Sequence, residues 1–288
     1  MNIYKVIPFL AVFALFSCDV SGVKKNNLEK VVDDTEIKKE LVVDTAKVDN
    51  TMDSVPKRLK ETLASGVTIV WTNKDDAQPR LKSGDVIKIR QVGRLSNGKV
   101  FDSWKQIGTA PSICLGYKMA VEGWEQGLYK MGVGEKAKIS VPAALGYGSK
   151  GYGDLIPPNS DLIYEVEIVE NIQPIVLEKD VKVFIVDRAK DSEKNGSLEG
   201  NKIEFGYMAF AKGKGMYDNS YKNGMPFTYN FGKPTVVPGL NIAMPEIREK
   251  DKAYVQIPAS MAYGKKGLQN LVGPNTPILY DIMLMKNK

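Results

Sequence analysis

The chain contains no histidine and only two cysteines, Cys18 and Cys114. That removes His-based triads, histidine general bases and most zinc sites together, and it leaves no disulfide framework. Any catalysis must therefore run with little proton transfer or none, and neither a metal nor a cofactor is expected. The side chains that could do chemistry instead recur at one spacing. Asp102, Tyr147 and Tyr164 are answered by Asp218, Tyr263 and Tyr280, each 116 positions further on.

The spacing holds well beyond those three residues. Between 101–168 and 217–284, 17 of 68 positions are identical without a gap, among them Gly116/Gly232, Val121/Val237, Gly123/Gly239, Pro158/Pro274 and Asn159/Asn275. Two copies of a ~110-residue unit make two domains, since a solenoid needs shorter and more numerous repeats. Within a copy, VTIVW (67–71), DVIKIRQV (85–92), EKAKISVP (135–142) and LIYEVEIV (162–169) alternate as half-buried strands do. The second copy answers with VKVFIV (181–186), NKIEFGYM (201–208), KAYVQIP (252–258) and ILYDIMLM (278–285). One helix interrupts the first set, EGWEQGLYKM (122–131), with Trp124, Leu128 and Met131 on one face. The fold class is α+β: in each domain a curved antiparallel sheet packs on one short helix.

At 288 residues the chain is long enough for two separate cores. Its formal charge of +6 is spread along the sequence, with no basic stripe interleaved with aromatics, which argues against a nucleic-acid partner. The strongest apolar run, Val6 to Phe16, is too short to span a membrane. With Lys5 before it and small residues after it, that run has the layout of a secretory signal. Leu15-Phe16-Ser17-Cys18 resembles the bacterial lipobox, in which the cysteine is diacylated and becomes the first mature residue. The alternative is an ordinary cleaved signal with an incidental cysteine. Residues 1–17 are thus expected to be a lipoprotein signal, and 18–60 a polar tether between anchor and domains. A short helix is predicted over 55–64, ended by Ser65-Gly66. The domains follow at 61–172 and 173–288, facing the periplasm or held at the outer membrane of a bacterial envelope.

GKVFDS (98–103), VEGWEQGLYKMGVGEKAKISVP (121–142) and LGYGSKGYGDLIPPNSDLIYEVEIV (145–169) stand in order in the first copy. Over roughly 65–171 this copy resembles the FKBP-type peptidyl-prolyl isomerases, which implies activity on Xaa-Pro bonds of proline-containing polypeptide clients. The chemistry suits a chain without histidine. The barrier of ~20 kcal/mol arises from amide resonance. An apolar, water-poor pocket with a donor for the carbonyl favours the twisted state in which that resonance is lost. The resemblance implies Trp124 as the floor under the proline ring, with Tyr147 and Asp102 completing the catalytic set. It implies Phe101, Val121, Ile156 and Tyr164 as apolar walls. The Val121 N–H and the Tyr147 hydroxyl would each bond a substrate carbonyl. Tyr152 and Leu155 would lie in an overhanging loop, and Ala120 at the edge.

Both copies depart from the family pattern. In the first, Gln91 stands where tyrosine is usual, Pro111 near a usual phenylalanine, and Ile107 where an arginine commonly braces the aspartate. One wall is expected to be more polar as a result. The second copy keeps Tyr217, Asp218, Val237, Tyr263, Val272 and Tyr280, and regains the two aromatics as Tyr207 and Phe227. Its floor is Leu240, and Pro245 is expected to shorten or kink its helix. Two functions follow: an envelope folding catalyst, or a tethered peptide-binding chaperone with little or no turnover.

Overall fold

In the computed structural model, residues 59–190, 198–222 and 226–287 are described. The expected signal segment, Cys18 and nearly all of the tether lie outside them. The alternating segments become strands, and each repeat builds its own antiparallel sheet. The first comprises β1 (Lys60–Thr62), β2 (Thr68–Asn73), β3 (Val86–Leu95), β4 (Val100–Ser103), β5 (Ser112–Cys114), β6 (Lys136–Val141) and β7 (Leu162–Ile172), with short helices α1 (Trp104–Ile107) and α2 (Glu122–Leu128). Its order is β1-β2-β6-β7-β3-β4, with β5 beside β3.

The second sheet comprises β8 (Ile175–Val176), β9 (Lys182–Asp187), β10 (Lys202–Ala211), β11 (Gly215–Asn219), β12 (Phe227–Asn230), β13 (Lys252–Ile257) and β14 (Ile278–Asn287), with α3 (Pro238–Ala243). Its order, β11-β10-β14-β13-β9-β8 with β12 beside β10, is the first sheet's order strand for strand.

The predicted helix over 55–64 is a correction. Residues 55–58 lie outside the described set, and Lys60–Thr62 pair antiparallel with Val70, Ile69 and Thr68. Leu59 and Leu63 pack on the first core, and the Gly66 N–H reaches the Leu63 carbonyl at 2.9 Å to close the turn. Strand pairing satisfies the open edge of β2, which a helix would leave bare. The helix expected over 122–131 ends at Leu128, though Met131 still fills the core. Pro245 acts as predicted: α3 stops at Ala243 and gives way to a 3-10 turn over Met244–Glu246.

Each helix lies against its own sheet. A Cβ on Gly123 would come within 2.5 Å of Val141, so α2 can approach β6 only where that side chain is missing. Each core is also pinned by a buried carboxylate at the same repeat position. Glu135 accepts from Trp71 Nε1 (3.0 Å), Gly132 N (3.0 Å), Asp75 N (2.9 Å) and Arg80 Nη1 (2.6 Å). Asp251 accepts from Arg188 Nη1 (2.7 Å), Ala189 N (3.0 Å) and Arg248 N (2.9 Å). Several donors offset the cost of burying such a charge. A third apolar cluster draws on both sheets, with Val86, Cys114, Tyr117 and Ile172 packed against Phe184, Met208, Phe210, Tyr254 and Leu279. Cys114 is the buried small residue expected of its strand, but its place is between the domains. No helix among the described residues is long and apolar enough to cross a membrane.

Candidate active site

Four pieces of chain meet at the open end of the first sheet. β4 carries Phe101 and Asp102, β7 carries Tyr164, and α2 carries Trp124. The loop between β6 and β7 carries Tyr147, Tyr152, Leu155 and Ile156. Register brings the first pair together: Gly93 on β3 is opposite Asp102 on one side and Tyr164 on the other. A Cβ on Gly93 would fall 2.7 Å from the Phe101 ring and 3.2 Å from Tyr164. Glycine here is what lets both rings close over the strand. Phe101 and Tyr164 then meet edge to face at 5.6 Å, and Trp124 lies 5.6 Å from Tyr164 at 42°. Trp124, Phe101, Val121, Ile156 and Tyr164 are all buried.

Val121 caps α2 in an extended conformation (φ −66°, ψ 145°). Its carbonyl accepts from Trp124 N (3.2 Å) and Glu125 N (3.3 Å). An N-cap residue turns its carbonyl into the helix, and its own N–H falls outside the helical bonding. Ala120, half-buried beside it, packs on the first core. The overhanging loop is a small hairpin: Tyr152 N bonds Ile156 O at 2.7 Å, and Ile156 N bonds Tyr152 O at 3.1 Å. Leu155 is exposed at its tip. Tyr147, half-buried, lies 5.6 Å from Tyr152. Burial, with the Asp102 charge second, pushes its phenol above the ordinary range.

Asp102 is 3% exposed, and burial raises its carboxyl from 3.8 to about 6 against the lowering effect of bonds from Gln91 and the Ser103 backbone. Gln91, expected to make a wall more polar, is itself buried and donates from Nε2 to Asp102 Oδ2 at 2.7 Å. Its polarity is spent on the carboxylate. Asp102 Oδ1 and Gln91 Oε1 are buried acceptors with no bonding partner. An ionised Asp102 leaves a buried oxygen without a donor, and this desolvation is what favours the neutral form. Sequence reasoning saw Gln91 only as a missing tyrosine. The 11-residue separation of Gln91 and Asp102, matched by Tyr207 and Asp218, was the available signal.

In the second domain Tyr207 Oη takes the same role, donating to Asp218 Oδ2 at 2.6 Å. Here the carboxylate is exposed, and the Asn219 N–H also reaches it at 2.7 Å. Aromatic rings fill the space: Tyr207 lies 5.3 Å from Tyr280 and 5.9 Å from Phe227, and Tyr217 lies 6.1 Å from Tyr263. Tyr217 Oη bonds Tyr280 Oη at 3.5 Å. Leu240 and Val272 are fully buried beneath them, while Val237 is half-buried at the cap of α3. The expected second-pocket residues are thus gathered at one place, with a smaller floor and a wetter aspartate.

The family model described as FKBP-type peptidyl-prolyl cis-trans isomerase matches residues 78–169 and again residues 194–285. The chain belongs to this family. Its isomerase class and its two FKBP domains stand on that double match. The relatives agree one domain at a time. An FK506-binding protein 2 of Dictyostelium discoideum is 45% identical over 95 residues, spanning 33% of this chain and 71% of the relative. An FK506-binding protein 1 of Candida glabrata is 37% identical over 112 residues, spanning 39% of this chain and 98% of the relative. Among solved structures, a peptidyl-prolyl cis-trans isomerase from Pseudomonas syringae is 28% identical, with a TM-score of 0.36, covering 40% of this chain and 82% of that one.

Proposed function

We propose that the first FKBP domain isomerises Xaa-Pro bonds in exported polypeptides, with Trp124, Tyr147 and Asp102 as its catalytic set, and that Cys18 anchors the chain by lipid in a bacterial envelope. The observation that carries the first part is the aromatic floor of Trp124, Tyr164 and Phe101 beside a buried carboxyl. A proline ring lying on that floor leaves water, and its amide loses the polar solvent that favours the planar, charge-separated form. The Val121 N–H and the Tyr147 hydroxyl then hold neighbouring carbonyls while the C–N bond turns. With its carboxyl raised to about 6, Asp102 is still mainly ionised at pH 7, and Gln91 holds that charge at the rim of the pocket. No proton needs to move.

The second domain has its own reading, favoured by the exposed Asp218 and the Leu240 floor: it holds client segments with little turnover. Cis/trans exchange of a short proline peptide, followed by NMR with the whole chain, tests the enzyme reading. The expected result is exchange far faster than the uncatalysed tens of seconds. Exchange at the uncatalysed rate would sink it. For the anchor, the lipobox-like Leu15–Cys18 supports lipidation. Wild type should take up labelled fatty acid and sediment with membranes, and Cys18→Ser should do neither; equal labelling of the two refutes it.

A further inference from the structure

The back of the second sheet differs from the back of the first in a way the repeat makes visible. At the 116-residue offset, Arg94 corresponds to Phe210 and Lys138 to Tyr254. On the first sheet that face is charged and paired, as in Arg94 with Glu165. On the second, Phe184 on β9, Phe210 on β10, Tyr254 on β13 and Leu279 on β14 are buried, and the acidic position survives as Asp281, opposite Tyr254 and Met208. What covers them is the first domain's segment from β5 to α2, through Cys114 and Tyr117, together with Val86 of β3 and Ile172 of β7.

Directional bonds fix the contact. Tyr254 Oη donates to the Ser112 carbonyl at 2.7 Å. Gln256 Nε2 donates to the Gly84 carbonyl at 2.6 Å and lies 3.1 Å from Cys114 Sγ. The Gly213 N–H, in the turn between β10 and β11, donates to the Gly116 carbonyl at 3.0 Å. Gly215 lies in van der Waals range of Lys118, which holds a left-handed φ of 51°.

The gripped segment leads straight into the site. Cys114 N bonds Met119 Sδ at 3.3 Å, and Met119 packs on both the first core and the cluster between the domains. Gly116 N donates to Glu125 Oε2 at 3.3 Å, tying the same turn to α2 next to Trp124. Ala120 and Val121 follow within two residues of Met119. We propose that the second domain is a positioning brace for the first: its sheet back clamps residues 112–119 and so sets the Val121 N–H and the Trp124 floor for the peptide. Tyr254 and Gln256 are the positioning residues. The inference rests on residues 61–172 holding the client site, as proposed above.

The test uses the full chain carrying Tyr254→Phe with Gln256→Leu, which removes three donor contacts and keeps the volume. Peptide affinity is read from the Val121 amide and Trp124 indole NMR shifts, and exchange is read separately. The expected result is a fall in peptide affinity of about five- to tenfold, as loss of these clamp bonds loosens the segment before Val121, with exchange at saturating peptide nearly unchanged. Arg80→Ala, which removes one donor to Glu135 and none of the clamp bonds, should lower stability without moving peptide affinity. Unchanged affinity in the double variant, or an equal loss in Arg80→Ala, overturns the brace. If Tyr254→Phe/Gln256→Leu does not fold, Tyr254→Phe alone carries the same comparison. Absent exchange in the wild type would instead sink the enzyme reading and leave the affinity comparison intact.

Discussion

Gln91→Leu is the substitution whose effect the site geometry sets most tightly. Asp102 stands at about 6 against an ordinary 3.8, with burial raising it and the Gln91 bond the larger of two influences lowering it. At 1.36 kcal/mol per pH unit, that shift of roughly two units favours the neutral carboxyl by about 3 kcal/mol. A folded-state value above the unfolded one means that the group's stabilisation is complete below pH 3.8 and lost as pH rises through about 6. Leucine at 91 removes the 2.7 Å donor to the charged form. A bond to a charged group contributes about 1.5–3 kcal/mol, so the midpoint should rise by about one to two units. The assay is the pH titration of the Asp102 carboxyl carbon by NMR, with Asp102→Asn to assign the signal. Denaturation at pH 4 and pH 8 should show a wider stability gap in Gln91→Leu than in wild type. An Asp102 midpoint that stays put or falls would refute the account of Gln91 as the carboxylate's partner.

Tyr147→Phe removes one donor to a substrate carbonyl and should cut exchange about fivefold, as loss of about 1 kcal/mol requires; undiminished exchange leaves that hydroxyl without its assigned role. Trp124→Leu copies the second domain's floor into the first. It should weaken peptide binding by at least tenfold, since about 1.5–3 kcal/mol accompanies burial of a large apolar surface, and equal affinity by calorimetry would contradict a tryptophan floor. Glu135→Gln leaves four donors around a neutral side chain and leaves Arg80 only its pairing with Asp76. A loss of about 3 kcal/mol is expected in urea unfolding, whereas a loss under 1 kcal/mol would show that the pair contributes little.

Much of this molecule was legible in its sequence because the signals were local or repeated. The period-two segments became strands, Pro245 ended its helix, and the constant offset foretold two sheets of one topology. Asp102, Trp124, Tyr147 and Tyr164 could be singled out because a motif stores their order along the chain. Residues 60–62 were misread because a strand's partner lies across the sheet, and local composition carries no trace of it. Gln91 looked like a defect in the wall, since the sequence lacks the fact that its amide points at Asp102. The same limit hid the brace. Tyr254 read as a strand residue and Phe210 lay just past its expected strand, and only tertiary packing showed their face turned toward the other domain. Sequence by itself determined the elements, the repeat and the candidate chemistry, which depend on residue type and spacing. The titration of Asp102 and the grip on residues 112–119 depend on desolvation and contact between distant segments, and only the folded chain decided them.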